Sequence, residues 1–275
     1  MTRIHLIDAH TVLYGIIGKP VRHSLSPTMH NAAFQHEKIN AVYLAFETDD
    51  CPQACSSMRC LDIKGYSVTI PNKEDIVPLL DKTDHAVQKI GACNTIKNVN
   101  GTLVGTNTDW IGAITALEKS GITLKGAKTV ILGAGGSAKA VAYGLLEREA
   151  KVTICNRTLE KAQQLALEFG CEYASLSEAE KIHADILVNT TSVGMANLSD
   201  KSPISKKGVE NYQIIMDIVY NPLETVLLRY AKAAGKITIN GLYMLLYQAM
   251  AQFEYWTGQK APEKIMRKAL EYGVQ

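Results

Sequence analysis

The sequence predicts an α/β protein of two domains, one of them a doubly wound parallel sheet, and three observations carry that expectation. Residues 129–132, T-V-I-L, form a short apolar run led by a β-branched residue, broken by Gly133, Gly135 and Gly136. From 137 to 146 apolar residues recur at helical spacing, so the unit reads strand, tight turn, helix. Runs of both kinds alternate along the chain, and 275 residues at 47% apolar content can supply two cores.

In a turn of the form G-x-G-x-x-A, Gly133 makes the bend, Gly135 lets backbone approach a pyrophosphate, and Ala138 lets helix and strand pack closely. Ser137 begins the helix, whose unpaired N–H groups and dipole favour an anion. The next strand should end, about twenty residues on, in an acid for NAD or near positive charge for a 2′-phosphate. The strand 151–155 is followed by Asn156, Arg157, Thr158 and Lys161, with no acid at its end. Arg157 can stack on adenine and bond phosphate, Thr158 can donate a hydroxyl, and Lys161 lies about one turn further on, so NADP is expected. The competing account is that Asn156 or Thr158 caps the helix to 169 and Arg157 is merely solvated.

A net charge of +2 argues against nucleic acid or an anionic membrane as partner and leaves small molecules. The N-terminus, M-T-R-I-H-L-I-D-A-H, lacks a signal-like apolar region and no run approaches a membrane span, so the cytoplasm is expected. Six cysteines form no disulfide framework; Cys51, Cys55 and Cys60 lack paired metal-ligand spacing, so no metal is expected.

Residues 12–18 read as a buried strand and K-P-V-R-H-S-L-S-P as a loop. Ser26 before Pro27 is a helix-start signal with Ser26 as cap; Ser24 has no such local reason, and two hydroxyls beside a helix N-terminus suit a carboxylate. Strands are expected at 42–48 and 63–70, with a helix near 51–58 between them; Val68 and Ile70 share one face, Ser67 and Thr69 the other. Pro71 stops that strand, and Asn72 is expected to cap a helix with Lys73 in its first turn. There Lys73 is either a base favoured neutral by the dipole or a surface lysine paired with Glu74 or Asp75.

Helical segments are expected near 76–80 and 84–89, then a hairpin of 93–98 and 102–106 about Asn100-Gly101. Asn94, Asn107, Thr108 and Asp109 lie at its outer ends; Asp109 either caps the next helix or serves a proton relay. The domain boundary is expected near 112, before the glycine-rich unit. Buried strands follow at 185–189 and 213–219, the first leading into T-T-S-V-G-M at a strand's carboxyl end, where such sheets bind ligands. Helices are expected at 223–234, ended by Gly235, and at 242–256 and 262–272, with Gln248 a polar interruption in an apolar helix.

Taken together, these stretches resemble the shikimate dehydrogenase family. The matching runs are S-L-S-P at 24–27, G-Y-S-V-T-I-P-N-K-E at 65–74, G-A-C-N-T at 91–95, G-T-N-T-D at 105–109 and G-A-G-G-S-A at 133–138. N-R-T at 156–158, N-T-T-S-V-G-M at 189–195, D-I-V-Y-N-P at 217–222 and G-L-Y-M-L-L-Y-Q-A at 241–249 complete the set. The resemblance implies a substrate domain of 1–112 completed by 240–275, an inserted Rossmann-type NADP domain of 113–239, and an active site in the cleft between them. It implies reversible reduction of 3-dehydroshikimate to shikimate by NADPH, in aromatic amino-acid biosynthesis. Ser24 and Ser26 would bind the carboxylate with Tyr220 nearby; Thr69, Asn94 and Gln248 would hold ring hydroxyls; Lys73 and Asp109 would be the acid/base pair. Gly133, Gly135 and Gly136 would cradle the pyrophosphate, while Thr191, Ser192, Val219 and Gly241 would lie along the cofactor towards nicotinamide.

The departures are Tyr243 where a small residue is common, Lys161 where arginine is frequent, and Val226 where many relatives have proline. The rivals are a quinate/shikimate dehydrogenase using NAD, which an acid after 155 would have favoured, and a non-catalytic NADP sensor, which loss of Lys73 or Asp109 would have favoured. A methyltransferase would leave N-R-T and the Lys73 and Asp109 stretches unexplained. Monomer and homodimer are both open.

Overall fold

The structure, a computed structural model, describes residues 7–273, so part of the N-terminal stretch read for targeting lies outside the described residues. It divides into two compact units: residues up to Thr108 together with Gln248 onward, and Asp109–Tyr247.

The first unit runs β1 (Val12–Gly18), α1 (Ser26–His36), β2 (Ala41–Glu47), α2 (Cys51–Cys60), β3 (Gly65–Val68), β4 (Lys82–Thr83), α3 (His85–Ile90), β5 (Thr95–Val99) and β6 (Thr102–Thr106). Its sheet has the order β2-β1-β3-β5-β6-β4. β1 lies parallel to β2 and β3, while β5 is antiparallel to β3 and β6. The β5–β6 hairpin turns where expected, with φ of 52° at Asn100 and 87° at Gly101, the left-handed pair that a tight two-residue turn demands. Every residue of β3 is buried, because a central strand is covered on both faces. The strand also stops at Val68, and Ile70 is 73% exposed.

No α-helix follows Pro71. Residues 70–76 close as turns, Asn72 N donating to Thr69 O at 3.0 Å and Ile76 N to Asn72 O at 3.0 Å, before a single 3-10 turn at Val77–Leu79. The 3-10 turn ends at Leu80, whose backbone is extended with ψ of 144°, so the expected helical segment is cut to one turn. Asn72 is no cap: its Oδ1 accepts from no backbone N–H, and its Nδ2 donates to Thr48 O at 2.9 Å. Lys73 therefore sits in a turn, and the helix-dipole reasoning for its charge does not apply.

The second unit runs α4 (Asp109–Glu118), β7 (Lys128–Leu132), α5 (Gly136–Glu147), β8 (Lys151–Asn156), α6 (Leu159–Phe169), β9 (Glu172–Ser175), β10 (Ile186–Asn189), α7 (Lys206–Val209), β11 (Ile214–Asp217), α8 (Val226–Ala233) and β12 (Ile237–Ile239). Its strands are all parallel in the order β12-β11-β10-β7-β8-β9, the doubly wound arrangement expected of the glycine-rich unit. β9 and β12 leave little trace in the sequence, being short edge strands with exposed residues and a weak periodic signal. α8 begins at Val226, three residues late, because Thr225 caps it by accepting from Leu228 N at 3.3 Å. Such a cap is worth about 1 kcal/mol. α9 (Gly241–Thr257) starts in this unit and ends in the first, where α10 (Glu263–Gly273) closes the described chain.

Among the described residues no helix is long and apolar enough to cross a membrane, and no cluster of His, Cys, Asp and Glu could hold a metal ion. All six cysteines are free.

Candidate active site

In the second unit the strand order reverses between β7 and β10, and the loops after both carry the residues singled out for a cofactor. Gly133 follows β7 with φ of 110°, and a Cβ there would come 2.7 Å from Thr190 Oγ1, so only glycine fits. Gly135 is the residue before α5; a Cβ built on it meets no protein atom within 4 Å, so its backbone face is open to a ligand. Gly136 and Ser137 form the first turn of α5, and Ala138 is fully buried against the sheet. An open glycine face at a helix N-terminus fits a pyrophosphate.

The next strand, β8, ends at Asn156, and Arg157, Thr158 and Lys161 are all exposed beyond it. Thr158 precedes α6 as its N-cap residue but makes no side-chain cap bond, and Asn156 Nδ2 donates to Thr158 O at 2.9 Å. Neither side chain is consumed in capping, which removes the capping half of the competing account; Arg157 is exposed, as both accounts expect. Two cations and a hydroxyl with no acid at the strand end fit a 2′-phosphate.

After β10, Thr191 is held inside its loop: its hydroxyl donates to Asn189 Oδ1 at 2.7 Å and accepts from Val193 N at 3.2 Å. Ser192 is exposed beside it, and Val219 follows β11. Gly241 opens α9 with its N–H on Val219 O at 3.2 Å, and a Cβ there would collide with the backbone of Ile218 and Val219. Its glycine is thus required by packing against the Val219 loop. Tyr243 stacks on Tyr247 with ring centroids 6.4 Å apart.

In the first unit the order reverses between β1 and β3, and again the loops at the carboxyl ends carry the candidates. These loops are tied together: Thr69 N donates to Ile17 O at 2.9 Å and Lys19 N to Ile70 O at 3.0 Å. Ser26 is not the cap of α1 but its first residue, buried at 4% exposure, with Leu25 in the cap position. Ser24 does have a local role, its Oγ accepting from Ser26 N at 3.2 Å. Thr69 and Lys73 lie in the loop after β3, both partly buried, and Lys73 O accepts from Cys93 N at 2.8 Å.

Asn94 reaches the same edge: its O accepts from Val68 N at 2.7 Å, its Oδ1 from Thr108 N at 2.7 Å, and its Nδ2 donates to Thr108 Oγ1 at 3.0 Å. Gln248 is buried on α9. Asp109 is the first residue of α4 and so not the residue preceding it, as a cap would be. Asp109 and Tyr220 belong to the second unit; Ser24, Ser26, Thr69, Lys73, Asn94 and Gln248 belong to the first.

Sequence reasoning misses the layer beneath these loops. Tyr43 OH donates to Ser67 Oγ at 2.6 Å, Ser67 Oγ to Gln252 Oε1 at 2.8 Å, and Gln252 Nε2 to Thr95 Oγ1 at 2.9 Å and Asn94 O at 3.2 Å. Gln252 is legible, since it lies four residues after Gln248 and hence on the same helix face. His30 stacks on Tyr43 at 4.5 Å, fully buried, and burial pushes its pKa down to about 3, so the ring is neutral. Gln252 lies near enough to work against that shift, though neither ring nitrogen makes an aligned hydrogen bond.

Comparison with known proteins identifies the family. Residues 16–96 match the model for the shikimate dehydrogenase substrate binding domain, 115–222 that for shikimate / quinate 5-dehydrogenase, and 241–271 that for the shikimate 5′-dehydrogenase C-terminal domain. The chain is 47% identical over 267 residues to the NADP(+) shikimate dehydrogenase of Pyrococcus furiosus, covering 96% of each. Among solved structures it is similar to shikimate dehydrogenase from Aquifex aeolicus, at 40% identity and TM-score 0.90 over 96% of this chain and 99% of that one. It is also similar to the Thermus thermophilus enzyme in complex with NADP(H) and shikimate, at 37% identity and TM-score 0.88 over 96% of this chain and all of that one, 100%. Matched by these models along most of its length and 47% identical to a relative over 96% of each chain, the chain belongs to the shikimate dehydrogenase family.

Proposed function

We propose that the chain catalyses the reversible, NADPH-dependent reduction of 3-dehydroshikimate to shikimate, with Lys73 and Asp109 as the acid/base pair. The observation that carries this reading is that the carboxyl ends of β1 and β3 gather two serine hydroxyls, Thr69 and Lys73 beside Asn94, a set suited to a hydroxylated carboxylate. NADPH, when bound, supplies the hydride. As the hydride reaches the carbonyl carbon, negative charge grows on oxygen, and Lys73 donates the proton that forms the hydroxyl. In the reverse direction the neutral amine takes that proton back. Asp109 orients Lys73 and the hydroxyl. Ser24 and Ser26 hold the substrate carboxylate with Tyr220, while Thr69, Asn94 and Gln248 fix the ring hydroxyls.

Gly133, Gly135, Gly136, Ser137 and Ala138 would hold the pyrophosphate against α5, and Asn156, Arg157, Thr158 and Lys161 the 2′-phosphate. Thr191, Ser192, Val219 and Gly241 would run along the nicotinamide half. The reaction serves aromatic amino-acid biosynthesis in the cytoplasm, with the protein a monomer or homodimer.

Initial rates with shikimate and with quinate, each with NADP and with NAD, test the reading on the wild-type chain and on Lys73→Ala. Shikimate with NADP should dominate, and Lys73→Ala should lose turnover while still binding both ligands. Preference for quinate or NAD would overturn the substrate or the phosphate assignment, and NADP binding without turnover of any pair would leave a sensor.

A further inference from the structure

β10 ends at Asn189 and β11 at Asp217, neighbours in register, and neither side chain is exposed to solvent. Asn189 Nδ2 donates to Asp217 Oδ1 at 3.0 Å and to Val193 O at 3.1 Å. Its Oδ1 accepts from Thr191 N at 3.1 Å and from Thr191 Oγ1 at 2.7 Å. Asp217 Oδ1 also accepts from Val219 N at 3.1 Å, and its Oδ2 accepts from Thr225 Oγ1 at 2.7 Å. The two side chains thus hold two loops at once, 190–195 after β10 and 218–222 after β11.

The charge on Asp217 has a consequence that a neutral residue would not have. An ionised carboxylate only accepts, so the amide of Asn189 must turn its NH₂ toward Asp217 and its oxygen toward Thr191. That orientation fixes both the N–H and the hydroxyl of Thr191 as donors, and so fixes the path of the loop. Gly194 completes the fit, since with φ of 105° a Cβ there would come within 3.1 Å of Thr225 Cγ2. A buried carboxylate is expensive: burial pushes the Asp217 carboxyl up to about 6, and a hydrophobic replacement is often no less stable.

We propose that Asn189 and Asp217 act as one positioning pair, setting the Thr191 and Val219 loops for hydride transfer and leaving the adenosine-phosphate end of the cofactor site unaffected. The inference rests on the reading that these loops run along the nicotinamide half. Hydride transfer is steep in geometry, and a misplacement on the order of 1 Å costs about a hundredfold in rate.

The test compares wild type, Asp217→Asn and Asn189→Ser in the full chain. For each, 2′,5′-ADP affinity reports the phosphate end, and NADPH affinity, kcat and the deuterium isotope effect with 4-deuterated NADPH report the other. In both variants kcat should fall about ten- to a hundredfold with a larger isotope effect, while 2′,5′-ADP affinity stays within about twofold. The double variant should be little worse than the worse single one, because the pair acts as a unit. Unchanged kcat and isotope effect beside a shifted melting temperature would overturn the proposal, leaving the pair a structural brace. If Asp217→Asn loses 2′,5′-ADP binding through misfolding, Thr225→Val, which strips one donor from the carboxylate, carries the same comparison. Wild-type protein that binds NADPH no more tightly than 2′,5′-ADP would instead sink the reading of these loops, and the proposal with it.

Discussion

The two sheets each carry functional loops at a point where strand order reverses, yet they brace those loops with different chemistry. Beneath the first unit's loops the hydrogen-bonded chain is neutral from end to end: Tyr43, Ser67, Gln252, Thr95 and Asn94. His30, stacked on Tyr43, is held uncharged by burial, and burial likewise keeps the Cys93 thiol, which donates to Thr95 O at 3.2 Å, protonated. Beneath the second unit's loops the brace is a carboxylate, Asp217, fully buried with three donors aimed at it. Neutral networks are satisfied at little cost whatever the pH, whereas a buried charge fixes orientations more firmly and is held against its own solvation. Of the two braces, only the second unit's carries a charge that acid can remove.

The largest effect separates the units by role. Lys73→Ala should lower kcat by roughly 10²- to 10⁴-fold in steady-state assays with both ligands still bound, since general acid/base catalysis is worth about that much. Arg157→Ala should leave kcat near wild type but raise KM for NADPH relative to NADH by about tenfold, for want of a bidentate phosphate partner. A loss of kcat from the second change, or of cofactor affinity from the first, would break the division between substrate unit and cofactor unit.

The two buried titratable groups should give pH slopes of opposite sign. Folded His30 has its pKa depressed to about 3 from 6.5, so the unfolded chain binds the extra proton and stability is lost as pH falls below about 6.5. Folded Asp217 has its carboxyl raised to about 6 from 3.8, so the native state binds the extra proton and stability is lost as pH rises from about 4 to 6. Denaturant unfolding of His30→Phe and Asp217→Asn across pH 4–7 should expose the two slopes separately, the Asp217 contribution amounting to roughly 3 kcal/mol at most. Slopes of the same sign would show that one of the two is not buried as described.

The smallest effect tests the neutral chain. Gln252→Leu leaves Ser67, Thr95 and Asn94 short of a partner and should cost about 1–3 kcal/mol in urea unfolding, by the same amount at pH 5 and pH 8. A cost that varied with pH would tie this network to a titrating group after all.

Much of this is legible in the sequence. The glycine turn after β7, the hairpin at Asn100-Gly101 and the cations after β8 can be read from local signals, because each depends on the φ freedom or charge of a few adjacent residues. The misreadings have separate causes. Asn72 has the look of a cap and so puts Lys73 in a helix, but the amide of Asn72 is taken by Thr48, 24 residues away in sequence. Ser26 looks like a cap, but α1 starts one residue earlier, with Leu25 in that position, and the short edge strands β9 and β12 carry too little periodicity to be seen.

The parallel sheet, the glycine turn and the absence of an acid at the end of β8 are set by residues close together in the chain, and the family by nine such local runs taken in order. Only the tertiary structure decided that Asn189 meets Asp217 and that Gln252 bonds Ser67, pairs 28 and 185 residues apart. It also decided that Gly241 must be glycine because the Val219 loop lies against it. A buried polar group takes whichever partner the packing of distant strands brings within about 3 Å, and no local pattern records that choice.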